Sequence, residues 1–286
     1  MTGFVELCTT TNFSFLRAAS HPEEYVEQAW ELDYAGIGIA DRNTVAGVVR
    51  AYAKSREMHE QAKAENRKQN VKLAIGVRLV FRDGTPDIIV YPKDRAAYGR
   101  LTRLLTLGNK DAPKGECWLT FEMFLDHVEG QQAIVIPNLA EGALPDQQLR
   151  DVLTAIRSRC RSVWLAARFI FNGEDRRRLR RFSELDFETR ARLIATTEPL
   201  CHVPQRRALL DVMTCIREKT TLDEAGRLLA PNAERHLKPY AEMERLYKLA
   251  PGAVAETERF LSGLSFKLDD LKFNYPLETV QGYASA

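Results

Sequence analysis

The sequence lacks a long apolar run, a paired-cysteine motif and a strong net charge. No stretch reaches the about 18 apolar residues of a membrane-spanning helix. The five cysteines form no Cys-x-x-Cys pair, and their odd number argues against a disulfide framework, so a reducing cytoplasm is the expected setting. The N-terminus has no basic region followed by an apolar segment, so no signal peptide is expected.

The charges nearly balance. Lys and Arg total 41 against 39 Asp and Glu, a net charge of +2, which by itself does not indicate a nucleic-acid partner. Hydrophobic residues make up 45% and charged residues 28% of the 286 residues, as in ordinary soluble globular proteins. This length fits one large domain, or one and a half domains of usual size.

Short β-rich runs alternate with amphipathic helical patterns over the first two hundred residues. The predicted strands cover residues 4–7, 34–40, 71–81, 87–91, 132–137, 162–170 and 192–199. The predicted helices cover 20–32, a stretch from about 44, 95–108, 119–128, 145–159, the segment after Gly173, and 205–219. Such alternation predicts an α/β fold with a mostly parallel sheet covered by helices. About seven units suit a closed barrel better than an open sheet, but periodicity alone leaves both open.

Local signals refine this prediction. Ser20 and Glu23 have the spacing of a capping box at a helix start. Gly108 predicts the end of a helix. The Gly-x-Gly at 36–38 lies inside a predicted strand, where it cannot form a dinucleotide-binding loop.

The pattern changes near Thr220. Residues beyond it are helical, with proline-marked breaks and no predicted strand. We therefore expect a barrel domain over 1–219 and, over 220–286, the helical start of a second module. Residues 274–286 have a loop-like composition, which is typical of a truncated chain or gene fragment.

Four segments point to a known family: residues 4–52, beginning FVELCTTTNFSFL, and residues 91–120, 206–238 and 264–276. Together they resemble the N-terminal PHP (polymerase and histidinol phosphatase) domain of bacterial C-family DNA polymerases, and most closely that of the error-prone branch. The resemblance implies a distorted seven-stranded (β/α)7 barrel followed by a small helical segment. It also implies the position of a trinuclear metal site that hydrolyses phosphoesters at the C-terminal strand ends.

The family's metal-ligand positions carry unusual residues here: Cys8, Thr10, Arg17, Asp41, Arg42, Arg78, Glu198 and Leu200. Zinc and manganese sites need imidazole and carboxylate donors, whereas Thr10 is a weak donor and Leu200 is none. The three arginines carry a permanent charge that repels a cation. The sequence therefore predicts a degenerate metal site, as the error-prone branch itself is expected to have.

Several residues have two interpretations. Cys8 is either a thiolate activated by nearby arginines or a small residue filling a vacated position. Cys201 and His202 are either residual ligands or structural residues.

Arg17, Arg42 and Arg78 are expected to lie together at the ends of the first three strands. They form either an anion pocket or a structural ion network with Asp41 and Glu198.

An arginine-rich run at 176–181 is a candidate DNA contact. Its arginines are Arg176, Arg177, Arg178, Arg180 and Arg181. Alternatively the run is a solvated helix face, neutralised by the acidic residues that follow it.

The resemblance implies a non-catalytic PHP domain that scaffolds the core of an error-prone polymerase, whose parent protein would perform DNA-templated and damage-induced translesion synthesis. No cofactor is expected in this chain, and Mg²⁺ would serve the polymerase domain of the parent. The implied partners are the rest of the polymerase, DNA in the parent enzyme, and other proteins of the bacterial mutagenesis system, but no membrane. The alternatives are a metal-dependent phosphoesterase or 3′–5′ proofreading exonuclease of the PHP family, and a small regulatory module with an anion pocket.

Overall fold

Seven strands form one sheet, and their spatial order follows the sequence. The computed structural model describes residues 3–138, 146–160 and 162–272. The strands are β1 (Val5–Thr9), β2 (Gly36–Arg42), β3 (Lys72–Leu79), β4 (Ile88–Pro92), β5 (Gln131–Val135), β6 (Val163–Arg168) and β7 (Arg192–Thr196). The sheet curls into a nearly closed barrel, so the predicted fold class is confirmed.

One strand runs against the others. β4 is antiparallel to β3 and to β5, whereas the remaining neighbours are parallel. The cause is the short connection between β3 and β4 (residues 80–87), because parallel strands need a crossover of about a dozen residues or more. Gly84 supplies the left-handed residue of that connection, with φ of +82°. As a result, the start of β4 lies at the same end of the barrel as the C-terminal ends of the other strands.

Helices cover the outside of the sheet. They are α1 (Pro22–Glu31), α2 (Val48–Ala64), α3 (Arg95–Lys110), α4 (Phe121–Leu125), α5 (Asp146–Arg159), α6 (Asp175–Thr189), α7 (Arg207–Glu218), α8 (Leu222–Ala225), α9 (Tyr240–Leu246) and α10 (Gly252–Ser262). In the described part of the chain, none of them has the length and apolar character needed to cross a bilayer. The loop predicted for 274–286 lies outside the described residues.

Two local predictions were wrong. The N-cap of α1 is His21, whose N–H donates to Glu24 (2.8 Å), because the Ser20 hydroxyl is used elsewhere and accepts from the N–H of His202 (2.9 Å). Gly108 does not end α3, which continues to Lys110. This glycine instead gives space to Leu119, since an added Cβ would lie 2.5 Å from its Cδ2.

Helix α10 closes the base of the barrel. The ring of Phe260 packs edge-on against Tyr91 and Trp164, with ring centroids 5.4 and 4.7 Å apart. The hydroxyl of Thr257 accepts from the N–H of Val5 (3.2 Å). The division at residues 219 and 220 stays a prediction, but this helix of the second predicted module packs directly on barrel strands.

A buried carboxylate joins the two ends of the sheet. Glu6 on β1 accepts from the hydroxyl of Thr196 (2.6 Å) and from the N–H (2.8 Å) and hydroxyl (3.1 Å) of Thr197. The N–H of Cys8 is a fourth donor (2.9 Å). Burial raises the pKa of Glu6, and these hydrogen bonds oppose the rise. Side-chain contacts therefore bridge the seam between β7 and β1.

Candidate functional site

The mouth of the barrel is the natural place for a site in this fold, because the C-terminal strand ends and their loops meet there. Arg42 ends β2, Arg168 ends β6, and Arg78 lies one residue before the end of β3. Asp87 comes directly before the reversed β4, and Glu198 follows β7 by two residues. The fold thus collects charged side chains from five strands at one end.

Glu198 is the centre of this mouth. Its carboxylate accepts hydrogen bonds from Arg78 (2.6 Å) and from Arg168, and it forms an ion pair with Arg235 (2.9 Å). Arg235 also donates through Nε to the carbonyl oxygen of Glu198 (2.9 Å). The side chain of Glu198 is only 3% exposed, and its backbone is left-handed with φ of +46°. A non-glycine residue seldom holds that conformation, so the surrounding hydrogen bonds fix it there.

The charges shift the pKa values of these groups in opposite directions. Burial alone would raise the pKa of Glu198, but the charges of Arg168, Arg235 and Arg78 outweigh it and hold the pKa well below its usual range. Burial would lower the pKa of Arg78, but Glu198 and Asp87 raise it above the ordinary arginine value. Burial lowers the pKa of Arg235 to about 10, so this group is still charged at neutral pH.

Asp87 extends the network. It accepts from Nε of Arg78 (2.7 Å) and from Arg42 (3.3 Å). Four guanidinium groups therefore share these two carboxylates. The structure brings Arg42 and Arg78 together through this carboxylate.

Arg17 borders the network, because the charges of Asp87 and Arg78 act on its pKa. It is exposed and forms no ion pair within the described residues. Burial of part of the side chain and the charge of Arg217 lower the pKa of Arg17. The anion pocket at Arg17, Arg42 and Arg78 stays a prediction. Two of these arginines, Arg42 and Arg78, already form ion pairs with Asp87.

Asp41 belongs to a separate hydrogen-bonded group. Its carboxylate accepts from the N–H and hydroxyl of Thr11 (2.8 and 2.7 Å) and from the hydroxyl of Ser14 (2.6 Å). It is 1% exposed, and burial raises its pKa. Of the two carboxylates expected to compensate the arginines, Glu198 does so and Asp41 does not.

The remaining ligand positions hold poor donors. Cys8 is fully buried, and burial raises the pKa of its thiol well above the ordinary value, which opposes the activated-thiolate interpretation. The hydroxyl of Thr10 is buried without a hydrogen-bond partner. Leu200 packs beside Cys201 in a small apolar cluster, while Nδ1 of His202 pairs with the hydroxyl of Ser20 (2.8 Å). Within residues 3–138, 146–160 and 162–272, no three His, Cys, Asp or Glu side chains come together as a metal site.

The arginine run lies in the first two turns of α6, which begins after the loop that follows β6 at the mouth end of the barrel. Arg178 is half-buried and donates to Asp175 (2.7 Å). It is therefore not available for the DNA contact that the sequence suggested. Arg176, Arg177, Arg180 and Arg181 are exposed. The acidic residues that follow were the alternative explanation, as partners that neutralise the run. One of them, Glu188, pairs instead with Arg150, which lies outside the run.

Sequence reasoning missed Glu6, Asp87, Arg168 and Arg235. Arg168 had a usable signal, because it lies near the C-terminal end of the predicted strand 162–170, on the side where such sites form. Asp87 could be placed at the mouth only by predicting that β4 runs antiparallel to its neighbours. Arg235 lies in a segment without regular structure and has no local signal.

The depressed pKa of Glu198 predicts how stability depends on pH. The folded-state pKa lies below the ordinary value of 4.5, so the unfolded chain binds the proton first as the pH falls. The contribution of Glu198 is therefore complete at neutral pH and is lost as the pH falls below about 4.5. The difference in unfolding free energy between the wild type and a Glu198→Gln variant should shrink between about pH 7 and pH 3 in urea titrations. A difference that stays constant would contradict a charged Glu198 in the fold.

Comparisons with known proteins agree with this architecture. The family model described as "PHP domain" matches residues 6–162. The chain is 48% identical over 277 residues to an error-prone DNA polymerase of Rhodopseudomonas palustris (strain BisB5), covering 97% of this chain and 24% of the polymerase. It is 49% identical over 287 residues to that of Bradyrhizobium diazoefficiens, with 97% and 24% covered, and 46% identical over 285 residues to that of Brucella abortus, with 98% and 25% covered.

These figures set the extent of the similarity. The chain spans about a quarter of the length of these curated relatives. A solved structure of an amidohydrolase from Chromobacterium violaceum covers 67% of this chain, and 84% of its own length is covered, with a TM-score of 0.45 and 12% identity. The family model, in contrast, covers more than half of the sequence and includes four of the seven strands completely. The resemblance seen in the sequence is thereby confirmed: this chain belongs to the PHP domain family.

Proposed function

We propose that the chain is the PHP domain of an error-prone DNA polymerase, and that it acts as a non-catalytic scaffold within that polymerase. The observation that carries the proposal is the cluster of Arg78, Arg168 and Arg235 around Glu198. The resemblance implies that hydrolytic members of the family hold metals at these strand ends, and under this proposal the ion network takes the place of those metals.

The residues at the mouth do not fit the trinuclear metal site that the fold family implies. Divalent zinc and manganese require several carboxylate or imidazole donors around each ion. Here Glu198 is already shared by three guanidinium groups, and Asp87 by two. The unpartnered Thr10 hydroxyl is a neutral and weak donor. These side chains would therefore not support metal-assisted hydrolysis at this mouth.

The proposed role is mechanical. An ion-paired mouth fixes the loops after β2, β3, β6 and β7 relative to one another, and a rigid barrel can then support neighbouring parts of a polymerase. Nucleotidyl transfer with Mg²⁺, translesion synthesis and DNA repair would be performed by other parts of the parent protein, in the cytoplasm. The remainder of the polymerase would be the direct partner, and DNA and other mutagenesis proteins would be partners of the whole.

The alternative is a phosphoesterase or a 3′–5′ proofreading exonuclease of the PHP family. Asp41 and Glu198 are the acidic ligand positions that remain. Asp41 already accepts three hydrogen bonds from the chain itself, and Glu198 is already ion-paired with three arginines. The alternative therefore requires these contacts to break before a metal binds.

A metal-loading experiment tests the proposal. After incubation with Zn²⁺ or Mn²⁺ and desalting, the chain should retain fewer than about one ion by plasma emission spectroscopy. It should show no phosphoesterase activity and no 3′–5′ exonuclease activity above a mock preparation, because no metal lowers the pKa of an attacking water. A PHP phosphoesterase with complete ligands is the positive control. Two or more retained ions, or turnover that disappears in Asp41→Ala, would overturn the scaffold assignment.

A further inference from the structure

One flank of α6 combines arginines with an exposed aromatic ring. Arg176, Arg180, Ser183 and Phe187 follow the i, i+4, i+7, i+11 spacing and share one side of the helix. All four are exposed, and Phe187 is 89% exposed, although burying such a ring is strongly favourable. From Arg176 to Phe187 the flank is about 17 Å long.

The acidic residues of α6 differ in their position relative to this flank. Glu188 projects from the other side of the exposed surface, with Arg177 and Arg181, whereas Glu184 is four residues after Arg180 and three before Phe187 and therefore borders the flank. Glu188 is moreover paired with Arg150. The flank with Phe187 therefore presents two arginines and an aromatic face, with Glu184 at its border.

The flank leads into a groove at the base of the barrel. This groove has a volume of about 620 Å³, and its lining includes Phe187, Trp164, Arg157, Arg190 and Arg192. Arg157 donates to the carbonyl oxygen of Arg190 (3.1 Å), which holds two of the arginines close together. Arg192 lies 3.4 Å from Glu256, and Asp186 also lines the groove, so part of the groove's positive charge is compensated.

We propose that this flank and groove form a binding surface for single-stranded DNA. A basic track that follows the phosphate backbone, beside an aromatic ring on which a base can stack, is the usual combination for single strands. A duplex keeps its bases stacked inside and would not use the face of Phe187. The choice of DNA rests on the proposed function, whereas the surface itself rests on the residues of α6 and the groove.

Fluorescence anisotropy with a labelled oligothymidylate of about 20 nucleotides tests the surface at several salt concentrations. For single strands the slope of log K against log salt changes by about 0.7 for each phosphate contact. The double variant Arg176→Gln with Arg180→Gln should therefore reduce the slope by about 1.4. The matched control removes the same charge from the exposed side of α3, by Arg95→Gln with Arg103→Gln, and should leave the slope unchanged.

The aromatic ring has a separate signature. Phe187→Ala should weaken binding by about 5- to 150-fold with little change in the salt slope, because stacking carries no net charge. Phe187→Leu keeps an apolar side chain but removes the stacking face, so it should show the same loss.

Absence of binding at low salt, an equal effect of the α3 control, or a duplex that binds as tightly as the single strand would overturn the proposal. None of these outcomes changes the metal result. Retained metals with hydrolysis would overturn the scaffold assignment and leave this surface intact.

Discussion

A Glu198→Gln variant should be less stable than the wild type by about 3–5 kcal/mol, because removing one partner of a buried ion pair leaves its counter-charges without compensation. Here three guanidinium groups lose their common carboxylate, and the side chains involved are between 3% and 27% exposed. Glutamine keeps the shape of glutamate, so the loss reports charge and hydrogen bonding rather than a cavity. Thermal unfolding should show a fall in Tm of roughly 10 °C.

Two further variants make this result specific. Glu244→Gln removes one carboxylate from the exposed side of α9 and should change the unfolding free energy by less than about 0.5 kcal/mol. Adding Arg168→Met to Glu198→Gln removes one of the uncompensated charges, so the double variant should be more stable than the sum of the single effects predicts. A Glu198→Gln variant as stable as the wild type would show that the ion network does not stabilise the loops at the mouth of the barrel.

The seven strands could be predicted from sequence because each is a short apolar run bounded by turn or helix signals. Strands buried on both faces, such as residues 133–135 of β5, read as continuous apolar runs, and the alternation with helices then fixes the fold class. Element ends were less certain. A glycine such as Gly108 commonly ends a helix, but here the helix continues past it, and the glycine makes room for Leu119.

The site was predictable only where a residue's position depends on its own strand. Arg42 and Arg78 lie at or next to the ends of β2 and β3, and this alone places them at the mouth. Their partner Asp87 depends on the direction of β4, which the turn before it determines.

Contacts between distant segments had no sequence signal. Arg235 reaches Glu198 from an irregular segment beyond the last strand. The hydrogen bond that Glu6 accepts from the hydroxyl of Thr196 joins residues 190 positions apart in the sequence, and it depends on how far the barrel closes. A glutamate inside an apolar strand signals that a polar partner exists, but not which one.

Gly76→Ala should destabilise the barrel by about 1–3 kcal/mol or more, because the interior has no space for an added methyl group. An ideal Cβ at Gly76 would lie 2.6 Å from Cε1 and 2.7 Å from Cζ of Tyr91. That ring cannot move away easily: its hydroxyl donates to the carbonyl oxygen of Leu7 (2.6 Å), and Phe260 packs against its face. Gly38 on the neighbouring strand also faces Tyr91, so two glycines together form the space for one ring.

The matched control is Gly99→Ala on the outside of α3, where nothing lies within 4 Å of the added methyl group. There the substitution should stabilise the chain by roughly 0.5–1 kcal/mol, since alanine favours the helix and restricts the unfolded state. The two glycine variants should thus shift the urea midpoint in opposite directions. The double variant Gly76→Ala with Tyr91→Ala should lose less stability than the sum of the losses in the two single variants. The reason is that the added methyl group at residue 76 no longer clashes with a ring at residue 91. Equal shifts at Gly76 and Gly99 would mean that Tyr91 does not fill the barrel as the structure shows.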